Sequence, residues 1–194
     1  MKSPQIILAS ASPRRVELLQ QIQVGFIQQV ADIDETHQAG ETASHFVSRL
    51  SHEKAQAIQG KNPEGLPVLG SDTIVVIDEH ILGKPEDNQH AVEMLSLLSG
   101  HTHQVMTAVT LVTQKQAKTS LNVSDVTFMT LNKKTMDAYV RTGESIGKAG
   151  AYAIQGIAGQ FITEIRGSYS SIMGLPLYET RKLLEEFGIT VLGS

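Results

Sequence analysis

The sequence predicts an α/β fold: a mixed, twisted sheet flanked by helices, with two shallow lobes and an active-site cleft between them. Short apolar segments alternate along the chain with segments whose apolar residues recur at helical spacing, which is typical of α/β proteins. Two β-rich stretches flank one polar turn and indicate a hairpin. The 194 residues are enough to bury a hydrophobic core, and we expect residues 1–194 to form a single domain.

The N-terminal part of the chain predicts a strand, a helix, a strand, a polar loop and a second helix. Ser12 stands where the first helix needs its N-cap, and Pro13 takes the first helical position. Thr42 is placed to cap the second helix. In chain order these elements cover residues 5–9, a helix from 13, 26–30, 31–42 and 43–59.

The rest of the chain predicts a strand, a helix, the hairpin, a helix, a strand and a last helix. Gly100 ends the first of these helices, and Asn132 caps the second. We expect the lobes to divide near residues 70–85, and a cleft there is the natural place for a ligand. The elements cover, in order, residues 67–77, 86–98, 105–112, 123–131, 133–141, 161–165 and 175–187.

The composition excludes several kinds of protein. Because cysteine is absent, the chain has no disulfide, thiolate zinc site or cysteine nucleophile. Its 16 basic and 20 acidic residues give a net charge of −4, whereas proteins that bind long nucleic acids usually carry a basic excess. No apolar run approaches the roughly 20 residues that span a bilayer. We therefore expect a cytoplasmic protein that binds neither a nucleic acid polymer nor a membrane.

The first candidate site is the turn from the first strand into the first helix. The N–H groups at a helix N-terminus favour phosphate. Ser10, Ser12, Arg14 and Arg15 add hydroxyl donors and positive charge at the same place. The alternative is a capped surface helix with two solvated arginines, because Ser-Pro helix starts are common.

The second candidate is Asp72, whose neighbours in the predicted strand are nearly all apolar. A buried carboxylate needs a cation, a metal ion or hydrogen-bond donors beside it. The alternative is a structural Asp that pairs with a nearby Lys or caps a turn. Lys54, Lys84 and Lys148 could bring positive charge to a ligand, although such lysines are more often solvated.

Glu35 follows Asp34 in a polar loop. Paired loop acids are usually solvated. If Glu35 and Asp72 converge, however, they form a hard oxygen site that suits Mg²⁺ or Mn²⁺.

Two further patterns do not meet the requirements of known sites. The segment Gly143–Ala149 resembles a phosphate-binding Walker loop, but it has three residues between its glycines and ends in Ala. The Walker motif requires four residues there and a final Ser or Thr. His101 and His103 would share a strand face, yet no third zinc ligand is evident.

The segment LASASPRRVELL at residues 8–19 opens a series of motifs that extends over essentially the whole chain. In this segment and in the motifs that follow it, the sequence resembles the Maf family of nucleotide pyrophosphatases. The resemblance implies an α/β fold with a cleft, a homodimer, and metal-dependent hydrolysis between the α- and β-phosphates of nucleoside triphosphates. The later motifs are Glu35, Lys54, and residues 70–73, 83–85, 98–100, 148–152, 154–156 and 174–176.

The resemblance also implies roles for individual residues. Asp72 would be the catalytic base, and Glu35 with Asp72 would hold a divalent cation, Mg²⁺ or Mn²⁺. The residues that would bind phosphates are Ser10, Arg15, Lys54 and Lys84.

Three further positions are similar to the dTTP/UTP-hydrolysing branch of the family and would select the substrate: Arg14, Thr73 and Gln155. A Gln amide has a donor and an acceptor, which can pair with the N3–H and O4 edge of uracil or thymine.

These observations lead to the hypothesis that the chain hydrolyses dTTP and UTP, and modified uridine triphosphates, to the monophosphate and pyrophosphate. Such an enzyme would remove noncanonical or excess nucleotides from the cellular pool. Whether Asp72 acts as base, metal ligand or both stays open. The alternative function is a non-catalytic nucleotide-binding regulator of cell division and septum formation.

Overall fold

A mixed sheet runs through the fold, as a computed structural model that describes residues 3–62 and 65–191 shows. Within those residues the sheet has seven strands. Numbered in chain order, they are β1 (Ile6–Ala9), β2 (Phe26–Gln29), β3 (Val68–Ile77), β4 (His80–Leu82), β5 (Thr102–Val112), β6 (Ala117–Phe128) and β7 (Ile162–Arg166).

Helices flank the sheet. They are α1 (Pro13–Gln21), α2 (Ala43–Gln59), α3 (Asn88–Leu98), α4 (Lys133–Val140), α5 (Tyr169–Ile172) and α6 (Leu177–Glu186). Short 3₁₀ turns lie at Ala149–Ala151 and Ile157–Phe161. Among the helices of the part of the chain described, none has both the length and the apolar character needed to cross a bilayer.

The strand order is β2-β1-β3-β5-β6-β7, and β4 pairs with β3 outside this path. Strand β1 is parallel to β2 and to β3, with Ile6 opposite Phe26 and Ile7 opposite Val68. Strands β3 and β4 are antiparallel, as are β6 and β7. The predicted α/β class and mixed sheet are therefore confirmed.

Most predicted elements are present, and the differences have local causes. Strands β5 and β6 begin earlier than predicted because the added residues, 102–104 and 117–122, are mostly polar and lack an apolar alternation. The three-residue β4 and the four-residue α5 are too short for a periodicity to reveal them. Ser12 occupies the N-cap position of α1, but its side chain makes no capping bond. Instead, its backbone N–H donates to Ser10 Oγ at 3.2 Å.

The chain divides into two compact units. Unit 1 comprises the described residues of Met1–Asp72, Thr107–Asn122 and Gly174–Ser194, and unit 2 comprises Thr73–Met106 and Val123–Met173. The chain first passes from unit 1 to unit 2 at Asp72–Thr73, within the predicted interval of residues 70–85. The predicted cleft between lobes and the single-domain organisation stay predictions.

In unit 1, helix α2 approaches strand β3 closely at Gly70. A Cβ atom at Gly70 would lie 2.2 Å from Ser51 O and 2.8 Å from Ala55 N, far inside normal contact distance. Ser51 Oγ donates to Gly70 O at 3.3 Å, and it also bonds with Thr110 Oγ1 at 2.8 Å. The missing side chain at residue 70 thus permits the helix backbone to lie against the strand.

In unit 2, the core contains a group of aromatic rings around His103. The ring of His103 packs edge-on against Phe128 and Tyr152, with centroid distances of 5.1 and 5.5 Å. His103 Nε2 and the Tyr152 hydroxyl are 2.9 Å apart. Burial lowers the pKa of His103 from 6.5 to about 4. His103 therefore has a packing role, and the exposed His101 precedes β5 instead of sharing its face.

Replacing Gly70 with Ala should lower the free energy of unfolding by about 1–3 kcal/mol, because the methyl group must push α2 away from β3. Chemical denaturation measures the change. The matched control is Gly60→Ala at the end of α2. There φ is −64° and the nearest atom to a new Cβ is 3.7 Å away, so stability should stay equal or rise by about 0.4–1 kcal/mol. Equal stabilities of the two variants would contradict the packing argument.

Stability should also fall as the pH drops from 6.5 towards 4, because the unfolded chain protonates His103 before the folded protein does. The total loss from this group is about 3 kcal/mol. Denaturation of the wild type and of His103→Gln at a series of pH values isolates the effect. The difference in stability between the two proteins should change across this interval; a constant difference would show that the imidazole does not carry the pH dependence.

Candidate functional site

Asp72 lies on β3, is the last residue of unit 1 before the chain enters unit 2, and is 7% exposed. Its Oδ1 accepts a hydrogen bond from the Lys54 ammonium of α2 at 2.6 Å. The expected burial of the carboxylate is confirmed, and it has a cation beside it. The pair follows from the close approach at Gly70, because Gly70 and Asp72 point to the same face of β3.

Lys54 also holds a second carboxylate. Its Nζ lies 2.7 Å from Glu35 Oε1, while Lys54 itself is only 9% exposed. The alternative of a solvated lysine is wrong for this residue. A structural pair would need Asp72 and Lys54 alone, whereas the addition of Glu35 gives the group a net negative charge. Because one ammonium bonds to both, the carboxylates of Glu35 and Asp72 lie within two hydrogen-bond lengths of each other.

The loop that carries Glu35 is fastened to α2 by Arg49. The Arg49 guanidinium donates to Glu41 Oε1 and Oε2 at 2.8 and 2.9 Å. It also donates to the backbone carbonyl of Thr36 at 3.0 Å. The bond from Arg49 lowers the pKa of Glu41, so the pair stays charged. Sequence reasoning missed Arg49, since its partners lie in a loop with no regular spacing.

Arg15 lies in the first turn of α1, and its side chain reaches back to the turn that precedes the helix. Its Nη1 donates to Ser10 Oγ at 3.1 Å, and its Nε donates to the carbonyl of Gly174 at 2.7 Å. Ser71 Oγ donates to the same carbonyl at 3.0 Å. Gly174, which the sequence presents only as part of a motif, thus fixes the guanidinium from the far end of the chain.

The Arg15 guanidinium interacts electrostatically with Arg14, Glu35 and Asp72. Burial lowers the pKa of Arg15, Asp72 and Glu35 raise it, and Arg14 lowers it further. An arginine nevertheless stays protonated at neutral pH. Ser10, Arg14, Arg15, Glu35, Lys54 and Asp72 therefore form one group of interacting polar residues in unit 1.

The carboxylates of this group fit a divalent cation. Two hard oxygen donors converge where Lys54 now bonds to both. In the described part of the chain, no three His, Asp or Glu side chains form a metal-binding group. Mg²⁺ is commonly held by one or two carboxylates, with waters and substrate phosphates supplying the other ligands. The donor set therefore suits a cation that binds together with a phosphate ligand.

The remaining predicted residues belong to unit 2. Thr73 is half-buried and follows Asp72 on β3. Lys84 is exposed and lies two residues after the end of β4. Its neighbour Gly83 accepts a hydrogen bond at the backbone carbonyl from Gly150 N–H at 3.0 Å. Gln155 is exposed in a turn before the second 3₁₀ segment.

The fold has a structural relative of low sequence similarity. A solved structure of the Ham1 protein of Staphylococcus aureus superposes with a TM-score of 0.55 over 94% of this chain and 98% of that one. The two sequences are 14% identical, so the likeness concerns the fold alone.

Comparisons of the sequence identify the family, which the structural likeness does not. A dTTP/UTP pyrophosphatase of Salmonella typhimurium is 52% identical over 182 residues, which cover 94% of this chain and 92% of the relative. A dTTP/UTP pyrophosphatase of Photobacterium profundum is 50% identical over 193 residues, covering 96% and 98% of the two chains. The family described as Maf-like protein matches residues 5–187. On these grounds the chain belongs to the Maf family.

Proposed function

We propose that this protein hydrolyses dTTP and UTP, and modified uridine triphosphates, to the nucleoside monophosphate and pyrophosphate, and so keeps the nucleotide pool clean. The observation that carries the proposal is the joint bonding of Glu35 and Asp72 to Lys54, within range of the Arg15 charge. Relatives that are about half identical to this chain over nearly their full length bear the name of this activity.

The phosphates are bound by Ser10, Arg15, Lys54 and Lys84 in this proposal. Arg15 is held by Ser10 and Gly174 before any ligand arrives, so little conformational entropy is lost when it meets a phosphate. Ser10 Oγ accepts from Arg15 and from the backbone of Ser12, and its own proton can be donated to a phosphate oxygen.

Asp72 is the group that takes the proton from the attacking water. A carboxylate offers about four lone-pair positions, so the bond with Lys54 leaves capacity for a water molecule. The hydrogen bond from the Lys54 ammonium fixes the direction of the carboxylate. A divalent cation, Mg²⁺ or Mn²⁺, bound by Glu35 and Asp72 would polarise the phosphate and neutralise its charge. The positive charges of Arg15 and Lys54 offset the charge that develops on the departing pyrophosphate.

Arg14, Thr73 and Gln155 select the substrate in this proposal. The Gln155 amide can donate to O4 and accept from N3–H of uracil or thymine. A carboxylate at this position could only accept, which would not suit the O4 atom.

The second candidate function is a non-catalytic, nucleotide-binding regulator of cell division. Such a protein would need the phosphate-binding residues but no general base. The buried Asp72 beside a second acid favours the enzyme. Assembly as a homodimer and location in the cytoplasm stay predictions alongside the activity.

The protein incubated with dTTP and Mg²⁺ or Mn²⁺ should release dTMP and pyrophosphate, and removal of the cation with a chelator should stop the reaction. Asp72→Asn should lower kcat by about 10²–10⁴-fold, the usual contribution of a general base. The matched control is Asp137→Asn on α4, where the carboxylate is bonded to Lys133, and its rate should equal that of the wild type. A near-normal rate for Asp72→Asn would eliminate this mechanism.

Gln155→Glu should lower kcat/KM for dTTP and UTP more than it changes the affinity for Mn²⁺, because only the base contact is altered. Rates with a panel of nucleoside triphosphates, together with a Mn²⁺ titration, give both quantities. An unchanged order of preference among the nucleotides would show that Gln155 does not contact the base.

A further inference from the structure

We infer that Glu144 is a positioning residue that fixes the turn bearing Gln155 and thereby sets the selectivity for the base. The inference rests on the proposed function, since it requires Gln155 to contact the base. Glu144 belongs to the segment Gly143–Ala149, which resembles a Walker loop in sequence but fails that motif. In the structure, this segment instead supplies a carboxylate that bonds to the backbone next to Gln155.

The Glu144 carboxylate accepts three hydrogen bonds. Its Oε2 accepts from the backbone N–H of Ile157 at 2.8 Å, and its Oε1 accepts from the N–H of Ala158 at 3.1 Å. The Tyr139 hydroxyl donates to Oε1 at 3.0 Å. Hydrogen bonds to a charged acceptor are stronger than those between neutral groups. One side chain therefore holds the backbone directly after the Gln155 turn.

Tyr139 can act only as a donor to this carboxylate. The residue is buried, and burial together with the Glu144 charge raises the pKa of its hydroxyl. Its proton is therefore retained at neutral pH. Because Tyr139 lies on α4 in the core of unit 2, the carboxylate is itself held in place by a rigid neighbour.

Gln155 lies at the tip of the turn that Glu144 holds. Gly156 N–H donates to Ala153 O at 3.1 Å, which closes a four-residue β-turn with Gln155 at its third position. Ile154 and Ala158 on either side are buried, whereas Gln155 is exposed. The side chain thus projects from a turn that is fixed at both ends.

Gly156 supports the same interpretation by leaving room for the carboxylate. A Cβ atom at Gly156 would lie 2.1 Å from Glu144 Oε2. The backbone has a φ of −111°, which other residues can adopt, so the requirement for glycine is one of space. The sequence therefore keeps an open position where the carboxylate approaches the turn.

This arrangement has a consequence for selectivity that differs from a general loss of stability. An amide pairs with a base edge only when its donor and acceptor are placed within tenths of an ångström. If the turn loses the bonds to Glu144, Gln155 still projects from it but in several orientations. Discrimination among bases then falls, while the residues proposed to bind the triphosphate keep their contacts.

The test compares kcat/KM for UTP with kcat/KM for CTP and for ATP in Glu144→Ala, Glu144→Gln and Gln155→Ala. A ratio of this kind does not depend on the folded fraction, so a purely structural role would leave it unchanged. We expect the ratio to fall by about tenfold in Glu144→Ala, the effect of one misplaced hydrogen bond, mainly through KM for UTP. Glu144→Gln keeps one acceptor oxygen and should show a smaller fall. It also preserves the comparison if the Ala variant does not fold.

Hydrogen exchange supplies a readout independent of activity. The amides of Ile157 and Ala158 should exchange faster in Glu144→Ala than in the wild type. The matched control is Glu164→Ala on β7, where the carboxylate bonds with the exposed Arg166; this change should alter neither the ratio nor these two amides.

The outcomes separate the inference from the proposed function. If Gln155→Ala lowers the ratio and neither Glu144 variant does, or if the two amides keep their exchange rates, the inference alone is overturned. If Gln155→Ala also leaves the ratio unchanged, the proposed base contact fails and the inference fails with it. A fall of the ratio in both the Gln155 and Glu144 variants, with faster exchange of the two amides, supports the inference.

Discussion

The backbone of helix α2 can touch strand β3 only because residue 70 has no side chain. Ser51 and Ala55 occupy the space that a Cβ would need, and the Ser51 hydroxyl bonds to the strand at that point. Lys54 and Asp72 each lie close to this contact in sequence, which is why a long lysine side chain folds back onto the carboxylate instead of reaching into solvent. The buried charges are paired as a result of this backbone contact.

A lysine between two acids is electrostatically unusual for a purely structural ion pair. Burying one cation with one anion already brings a desolvation cost that their attraction only partly offsets. Adding Glu35, whose side chain is 42% exposed, brings a further negative charge to a site that contains Arg15 nearby. This combination of two carboxylates with the Lys54 and Arg15 cations suits a ligand that carries both signs of charge, such as a polyphosphate with its metal ion.

The predictable part of the fold is the part encoded by local pattern. Helix α2 was predictable within its bounds, because Thr42 caps it and its apolar residues recur at helical spacing. Strand β4 was not, because three residues cannot display a period. For the site, the burial of Asp72 was foreseeable from its apolar neighbours, whereas the meeting of Glu35 and Lys54 depends on a loop path that Arg49 determines. In sequence, Glu144 resembles a solvated loop acid. Only the folded structure shows that its carboxylate accepts hydrogen bonds from the backbone N–H groups of Ile157 and Ala158.

The hydrogen bond from Arg15 to Gly174 spans 159 residues of sequence. Ribosomes synthesise a chain from its N-terminus, so α1 emerges long before its partner carbonyl exists. Until residue 174 has been made, the guanidinium has Ser10 Oγ as an acceptor but lacks the Gly174 carbonyl. A chain that stops before residue 174 would contain every charged residue of unit 1 discussed above but not the carbonyl that accepts from Arg15 Nε. The orientation of this guanidinium therefore depends on a residue that is made long after the site's own charges.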